Sequence, residues 1–255
     1  MGLKDRFDLS GRSAIVTGGA RGIGQACATA LAEYGVNLVI ADLLEPELAE
    51  TVADLASRFG VETAGVKCDV TDSAAVDQLV AGAVERFGKL DIFVNSVGIT
   101  IWEPSATTTD EQWRKVIDTN LNAAFYQSRA AGRQMLAQGK GSIVHIASMS
   151  GSIVNQPQGQ ASYNSSKAGL MHLVRSLAAE WAPQGVRLNT LSPGYTLSVM
   201  TYTVKEYFDY WNTLIPMGRM AEPEEVGGAL IYLASDASSY TTGHDLVMDG
   251  GYTCW

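Results

Sequence analysis

Short apolar runs alternate with longer segments whose apolar residues recur at helical spacing, from one end of the chain to the other. The apolar runs predict strands at 13–16, 37–41, 62–67, 90–94, 142–147, 186–191 and 244–248. The segments between them predict helices at 22–34, 46–59, 73–87, 108–138, 161–181 and 223–233. The helix at 108–138 is predicted to begin at a Thr108-x-x-Glu111 capping box. Strands that alternate with helices of roughly 10–20 residues are typical of right-handed βαβ units. We therefore predict an α/β fold with a doubly wound parallel sheet, in one domain over residues 1–255.

A glycine-rich turn joins the first predicted strand to the first predicted helix, in the sequence Thr17-Gly18-Gly19-Ala20-Arg21-Gly22-Ile23-Gly24. Glycine permits a tight turn and lets backbone amides approach a pyrophosphate, which the helix dipole then stabilises. Glycine spacing alone also fits a simple flexible loop, but the strand before it and the helix after it favour a dinucleotide site. The predicted cofactor-binding residues of this turn are Gly18, Arg21, Gly22, Ile23 and Gly24.

The identity of the dinucleotide depends on two opposed charges. Asp42 ends the second predicted strand, where a carboxylate accepts hydrogen bonds from the ribose hydroxyls and repels the 2′-phosphate of NADP. Arg21 favours that phosphate, but a flexible arginine can turn to solvent, whereas like charges at ribose distance cost several kcal/mol. We therefore predict NAD, with use of both cofactors as the alternative. Asp69, followed by Val70, is predicted to contact the adenine, and its alternative is an ordinary turn aspartate.

Four polar residues suggest the chemistry. Tyr163 and Lys167 are spaced i, i+4 and therefore share one face of the predicted helix at 161–181, where the cation can stabilise a phenolate. Ser148 follows the fifth predicted strand, and Asn120 lies further back in the chain. A Tyr-x-x-x-Lys pair means little among ten tyrosines, so its weight comes from the glycine turn. Together the two motifs predict a nucleotide-dependent oxidoreductase, against the alternative of a helix-surface Lys–Ser face and a core asparagine.

Charge and composition narrow the class of partner. The net charge of −9 argues against nucleic acid, anionic membranes and acidic protein partners, and it favours a small neutral substrate. Three scattered cysteines predict neither a disulfide framework nor a zinc knuckle and indicate a cytoplasmic protein. No stretch of ~18 consecutive apolar residues predicts a membrane span. His145, His172 and His244 are too widely spaced to predict a catalytic metal.

Two segments are candidates for substrate recognition. Between Lys140 and Lys167 no residue is charged, yet Ser, Asn and Gln are abundant, which suits a pocket for an uncharged, polyhydroxylated ligand. The alternative is a buried loop that satisfies its own backbone. The aromatic-rich segment from about 195 to 216 follows the sixth strand and predicts a lid that excludes water, with simple helix packing as its alternative.

These motifs occur in the order and approximate spacing of the short-chain dehydrogenase/reductase family, which the chain resembles over essentially its whole length. The resemblance implies a Rossmann-like sheet of about seven strands, a homotetramer, and a catalytic set of Asn120, Ser148, Tyr163 and Lys167. It also implies cofactor contacts from Asn95, Gly98, Tyr163, Lys167, Pro193, Gly194 and Thr196. One departure is Asn95-Ser96-Val97-Gly98 in place of the family's usual Asn-Asn-Ala-Gly. Val97 adds bulk beside the expected position of the nicotinamide ribose.

Within the family, residues 148–158 and 249–255 resemble sugar-alcohol dehydrogenases of the galactitol, sorbitol, arabinitol and threitol type. The predicted substrate-binding residues are Ser148, Ser150, Asn155, Tyr163 and Tyr195. The alternative for Asn155 is that it caps a turn before Pro157. In the family such C-terminal tails lie near a tetramer axis, so the resemblance implies a docked tail and a structural cation held at Trp255.

The expected reaction is oxidation of a polyol hydroxyl to a ketose. Tyr163 takes the hydroxyl proton, Ser148 positions the reacting oxygen, and the nicotinamide takes the hydride. Lys167 holds the ribose and favours the phenolate, and by resemblance Asn120 holds a water that connects Lys167 to solvent. One alternative is reduction of 3-oxoacyl groups on a carrier protein, and another, of a different class, is an NAD-binding redox sensor without turnover.

Overall fold

A computed structural model describes residues 2–254, in which seven parallel strands form one sheet in the order β3-β2-β1-β4-β5-β6-β7. The strands are β1 (Ser13–Thr17), β2 (Asn37–Asp42), β3 (Thr63–Lys67), β4 (Ile92–Asn95), β5 (Gly141–Ile146), β6 (Val186–Pro193) and β7 (Asp245–Met248). The α-helices are α1 (Leu3–Arg6), α2 (Gly22–Glu33), α3 (Glu45–Phe59), α4 (Ser73–Phe87), α5 (Asp110–Ile117), α6 (Ala123–Gln138), α7 (Ala161–Trp181), α8 (Val199–Tyr202), α9 (Phe208–Leu214) and α10 (Val226–Ala234). The predicted Rossmann-like doubly wound sheet is confirmed.

The central strand β1 is buried along its whole length because helices cover both faces of the sheet. All five residues of β1 are buried, and successive side chains point to opposite faces. Ile15 joins one buried cluster with side chains of α4, α6 and α7, whereas Val16 joins a second with side chains of α2, α3 and α10. The strand order reverses between β1 and β4, so the carboxyl ends of these strands open onto a crevice.

The predicted helix at 108–138 is wrong in two details. It begins after Thr109, whose hydroxyl accepts from the Gln112 amide while the Gln112 side chain accepts from the Thr109 amide, so the capping box lies one residue later than predicted. It is also interrupted by a π-helical turn at Asp118–Asn122, where the Ala123 amide bonds the Asp118 carbonyl. This turn contains Asn120, and π-turns of this kind are frequently found at functional sites.

Aromatic side chains fill the segment after β6. Trp211 of α9 is fully buried and stacks on Tyr195, with ring centroids 4.0 Å apart and an interplanar angle of 11°. Tyr252, in a short 3-10 turn near the C-terminus, packs edge-on against Tyr195 at 5.6 Å. The tail is therefore docked against its own chain. Trp255, the predicted cation site, lies outside the described residues, and the predicted subunit contact of the tail stays a prediction.

None of the helices between residues 2 and 254 has both the length and the apolar character needed to cross a bilayer.

Candidate active site

The carboxyl edge of the sheet opens into a cleft of about 1310 Å³. Typical ligand pockets measure roughly 300–1,000 Å³, so this cleft has room for a dinucleotide and a small substrate together. Every predicted cofactor or substrate residue lines it except Asn95. Asn120 of the predicted catalytic set also lies outside the lining.

The glycine turn is shaped by steric need at two of its positions. Gly18 has a φ of +68°, and its amide donates to the Ala41 carbonyl at 2.8 Å, which holds the turn against β2. A Cβ on Gly24 would lie 2.0 Å from the Gly18 carbonyl oxygen, so α2 approaches the turn more closely than any side chain allows. The resulting turn presents backbone to the cleft at the start of α2, which fits a pyrophosphate.

Asp42 lies half-buried at the end of β2, beside this turn. One carboxylate oxygen accepts from the Ala20 amide at 3.1 Å, and the other accepts from the Leu43 and Leu44 amides at 2.8 and 3.2 Å. A carboxylate offers about four acceptor positions, so these bonds leave capacity for a ribose hydroxyl. Arg21 is exposed at the cap of α2 and forms no ion pair within residues 2–254.

The remaining cofactor candidates lie on both sides of the cleft. Asp69 accepts from the amide and hydroxyl of Thr71 at 2.9 and 2.7 Å, so it closes a turn, as its alternative interpretation stated, while still lining the cleft. Val70 is buried beside it. On the opposite side the lining residues are Pro193, Gly194 and Thr196.

Tyr163, Lys167 and Ser148 meet at the centre of the cleft. The Lys167 ammonium donates to the Ile146 carbonyl at 2.9 Å and lies 5.6 Å from the Tyr163 ring centroid. Burial lowers the pKa of Lys167 to about 8, which still leaves it mainly cationic at pH 7. Burial raises the pKa of Tyr163, and a hydrogen bond from Ser148 partly offsets this. In the protein without cofactor, the effect of burial on the pKa of Tyr163 therefore exceeds the stabilisation of the phenolate that we expected from Lys167.

Ser148 is held in place by its own loop. Its hydroxyl accepts from the Ser150 amide at 3.1 Å and donates to the Ser150 hydroxyl at 3.0 Å. It follows β5, the strand whose last carbonyl accepts from Lys167. The strand end thus fixes both polar groups that flank Tyr163.

Asn120 joins the loop after β4 to α7. Its amide nitrogen donates to the Ile99 carbonyl at 2.9 Å and the Ser166 hydroxyl at 3.0 Å, and its oxygen accepts from the Ile99 amide at 2.9 Å. Both amide hydrogens are thus used by the protein, and only the oxygen retains accepting capacity. The expected water between Asn120 and Lys167 stays a prediction, and it would have to donate to that oxygen.

The Asn95 side chain is buried and does not line the cleft, and the cofactor contact predicted for this residue stays a prediction. Its oxygen accepts from the Val97 amide at 3.0 Å, which shapes the turn that carries Gly98. Its nitrogen lies 3.0 Å from His145 Nδ1, and His145 Nε2 lies 2.8 Å from the Ser128 hydroxyl. The Asn95 side chain therefore positions the backbone of the turn that carries Val97 and Gly98.

His145 gives this network a defined pH dependence. Nδ1 faces an amide that can only donate, so the ring is bound as the neutral form, and burial lowers its pKa from 6.5 to about 3. Between pH 3 and 6.5 the unfolded chain binds more protons than the folded chain, so stability rises with pH and this contribution is complete above about 6.5.

We expect the difference in unfolding free energy between the wild type and His145→Asn to shrink by about 2 kcal/mol when the pH falls from 7.5 to 5. Urea unfolding at both pH values measures it. The same substitution at the exposed His172 is the control. A difference that stays constant for His145→Asn would show that its ring is not kept neutral.

The predicted substrate residues form a network of uncharged groups. Tyr195 accepts from Asn155 at 3.2 Å and from Gln158 at 3.1 Å, and Gln160 donates to the Asn155 oxygen at 2.9 Å. Asn155 is buried and lines the cleft, and its role as a substrate contact stays a prediction. The uncharged segment before Lys167 thus contributes neutral hydrogen-bonding groups to the cleft.

Several polar residues of the cleft were missed by sequence reasoning. They include Thr100, Trp102 and Gln158. Gln158 lies in the segment singled out for its amides and hydroxyls, but Thr100 and Trp102 follow β4 in a loop with no signal of their own. The Glu103 amide bonds the Gly159 carbonyl at 3.0 Å, which brings the two loops together.

Comparisons with known proteins agree with this geometry. A family profile described as "Enoyl-(Acyl carrier protein) reductase" matches residues 18–253. The chain is 43% identical over 255 residues to a "Probable NADP-dependent mannitol dehydrogenase" of Yarrowia lipolytica, covering 99% of this chain and 91% of that protein. It is 42% identical over 252 residues to a "Galactitol 2-dehydrogenase (L-tagatose-forming)" of Cereibacter sphaeroides, covering 98% of each. The crystal structure of a short-chain type dehydrogenase/reductase from Mycobacterium marinum superposes with a TM-score of 0.97 and 39% identity, over 100% of both chains.

Proposed function

Because the chain belongs to the short-chain dehydrogenase/reductase family, we propose that it interconverts a secondary hydroxyl of a polyol and the corresponding ketose. The observation that carries the proposal is the cleft itself, in which Tyr163, Lys167 and Ser148 lie beside a neutral network around Asn155 and Tyr195. Such a network offers amides and hydroxyls to a ligand rich in hydroxyl groups and offers no charge that would demand an ionic one.

The chain's own residues supply the proton chemistry. Tyr163 accepts the proton of the substrate hydroxyl. Ser148 turns its hydroxyl hydrogen from Ser150 to the reacting oxygen as that oxygen becomes a carbonyl. A bound nicotinamide dinucleotide supplies the acceptor for the hydride. Lys167, fixed by the Ile146 carbonyl, places a positive charge near the Tyr163 ring and opposes the burial that raises the pKa of the phenol.

Asp42 supports NAD as the preferred cofactor. Asp42 ends β2 beside the glycine turn and lines the cleft, where we expect the adenine ribose, and a carboxylate would repel a 2′-phosphate at that distance. The Yarrowia relative is named an NADP-dependent enzyme, which argues in the other direction. Arg21, which forms no ion pair within residues 2–254, offers a partner for a phosphate. We propose that the carboxylate outweighs the guanidinium.

We expect Asp42→Ala to raise the ratio of kcat/KM with NADP to kcat/KM with NAD at least tenfold, because the repulsive charge is removed while Arg21 remains. Initial rates with both cofactors, measured side by side, give the ratio. The double variant Asp42→Ala/Arg21→Gln should lose much of this increase in the NADP/NAD ratio, because it lacks the cation that would pair with the 2′-phosphate. A wild type that already prefers NADP contradicts the proposed preference.

The carrier-protein reductase alternative draws on the family profile's own description. Docking of an acidic carrier requires cations, and the chain has a net charge of −9. The second alternative, an NAD-binding sensor, leaves the assembled Tyr163, Lys167 and Ser148 without a role. The polyol reaction needs no acidic partner, so it is compatible with the negative net charge, and it gives these three residues a role.

A substrate panel tests the proposal. Mannitol, galactitol, sorbitol and arabinitol are offered with NAD or NADP, and absorbance of the reduced cofactor is followed. We expect turnover of at least one polyol. Turnover of 3-oxoacyl substrates alone would support the carrier-protein alternative, and cofactor binding without any turnover would support the sensor.

Three further properties are proposals that rest on the family resemblance and on composition. We propose a homotetramer in the cytoplasm, with the segment from about 195 to 216 as a lid over the substrate. The edge-on packing of Trp211 against Trp102 supports the lid, because it ties this segment to a residue outside it that lines the cleft.

A further inference from the structure

Three polar atoms of residues that line the cleft have no hydrogen-bond partner anywhere in residues 2–254, namely the Thr100 Oγ1, the Trp102 Nε1 and the Gln158 Oε1. A threonine hydroxyl can both donate and accept, whereas the Trp102 nitrogen can only donate and the Gln158 oxygen can only accept, so these two atoms define the partner that they need. Leaving a buried polar group unpaired is costly, so such atoms call for a partner that the chain does not provide. Gln158 is only 9% exposed, and both residues line the cleft. The Asn212 Oδ1 is also unpartnered in this part of the chain, but Asn212 does not line the cleft.

The orientation of the Gln158 amide is fixed by Tyr195. The Gln158 Nε2 donates to the Tyr195 hydroxyl at 3.1 Å, and the Asn155 amide donates to the same hydroxyl at 3.2 Å. That hydroxyl uses its own hydrogen toward the Gln156 carbonyl at 3.5 Å. Since Tyr195 needs donors from its neighbours, the amide nitrogen faces Tyr195 and the acceptor Oε1 is the end left for a ligand.

One backbone hydrogen bond brings the loop of Trp102 to the segment that carries Gln158. The Glu103 amide donates to the Gly159 carbonyl at 3.0 Å, and these two residues follow Trp102 and Gln158 directly in the chain. The Trp102 ring packs edge-on against Trp211, with centroids 6.5 Å apart. The indole N–H is a donor only, and the Gln158 Oε1 is an acceptor only.

We propose that Trp102 and Gln158 determine specificity by binding one hydroxyl of the substrate at a carbon other than the one that is oxidised. The proposal rests on the polyol reaction proposed above and identifies residues that recognise the polyol. A hydroxyl both donates and accepts, so it satisfies the two atoms at once. A plain methylene would leave both unpaired, and a carboxylate or phosphate would be repelled by the carbonyl oxygen. The site therefore selects a polyhydroxylated chain over a simple secondary alcohol.

The test compares a hexitol with a monohydroxylated substrate of the same length. The purified enzyme with its cofactor is assayed with the hexitol that it oxidises fastest and with 2-hexanol, or with 2-hexanone in reverse. Trp102→Phe removes the N–H and keeps the ring, and Gln158→Met keeps the length and removes the acceptor. We expect each to lower kcat/KM for the hexitol about 10- to 100-fold and to leave the monohydroxylated substrate within about twofold.

Two controls separate recognition from folding. Asn212→Leu removes the same kind of unpartnered amide outside the cleft and should change neither substrate. Fluorescence of bound NADH should show unchanged cofactor affinity in both cleft variants. If both atoms bind the same hydroxyl, the double variant should lose far less than the product of the single losses.

The outcomes are distinct. Equal losses on both substrates, or no loss on the hexitol, overturn the assignment of Trp102 and Gln158 while the polyol reaction stands. A wild type that turns over 2-hexanol or 2-hexanone but no polyol overturns the proposed function, and the assignment with it.

Discussion

Tyr163→Phe should fold, bind the cofactor and lose roughly 10²–10⁴ in turnover, as expected when a general acid/base group is removed. The ring lies between the Lys167 ammonium and Ser148, and no other phenol shares that position. Phenylalanine keeps the ring packing and removes only the oxygen. Turnover of the best polyol, measured with cofactor binding on the same preparation, gives the result.

The matched control is Tyr195→Phe, because Tyr195 also lines the cleft and its hydroxyl accepts from two amides. It should weaken substrate binding and leave the chemical step largely intact. Near-full activity of Tyr163→Phe across the pH range would refute the assigned role. A loss of the same size in kcat for Tyr195→Phe would mean that the effect is not specific to the base.

Gly24→Ala should lower the free energy of unfolding by about 3 kcal/mol and weaken cofactor binding tenfold or more. The new Cβ would lie 2.0 Å from the Gly18 oxygen and 2.7 Å from the Gly18 carbon, both backbone atoms that no rotamer change can move. The turn must therefore shift away from α2, which spoils the arrangement of amides that faces the pyrophosphate. Thermal unfolding and NADH titration measure the two effects.

Gly228→Ala is the control for this prediction. Gly228 lies exposed in α10, and a Cβ there meets no atom within 4 Å. Alanine is the better helix former, so this variant should be unchanged or more stable by up to about 1 kcal/mol. If Gly24→Ala behaves like Gly228→Ala, the turn tolerates the extra atom and the steric argument fails.

Much of this architecture could be predicted from the sequence because burial forces the composition of the elements. A strand covered on both faces, such as β1, is buried along its length, so its central residues Ala14, Ile15 and Val16 are all apolar. The spacing of Tyr163 and Lys167 fixes their common helix face. The capping residue was harder to predict. Three consecutive threonines precede α5, and the choice of Thr109 depends on which amide its hydroxyl meets after folding.

The direction of a buried amide could not be predicted from sequence. Asn95 and Asn120 lie next to the cleft in the chain, yet each turns inward to backbone and side-chain partners. The pairing of Trp102 with Gln158 depends on a contact between loops more than fifty residues apart, formed by the Glu103–Gly159 hydrogen bond. Local periodicity carries no information about such contacts.

The π-turn at Asp118–Asn122 acts as a one-residue insertion in an otherwise continuous helix. An α-helix turns about 100° per residue, so one extra residue rotates everything that follows by roughly that angle. The half before the turn packs on α7, and the half after it packs on α4. The interrupted helix therefore packs on two helices that lie in different directions, and Asn120 lies at the turn where the rotation occurs. Deleting a single residue there would keep the helix and misalign its two halves.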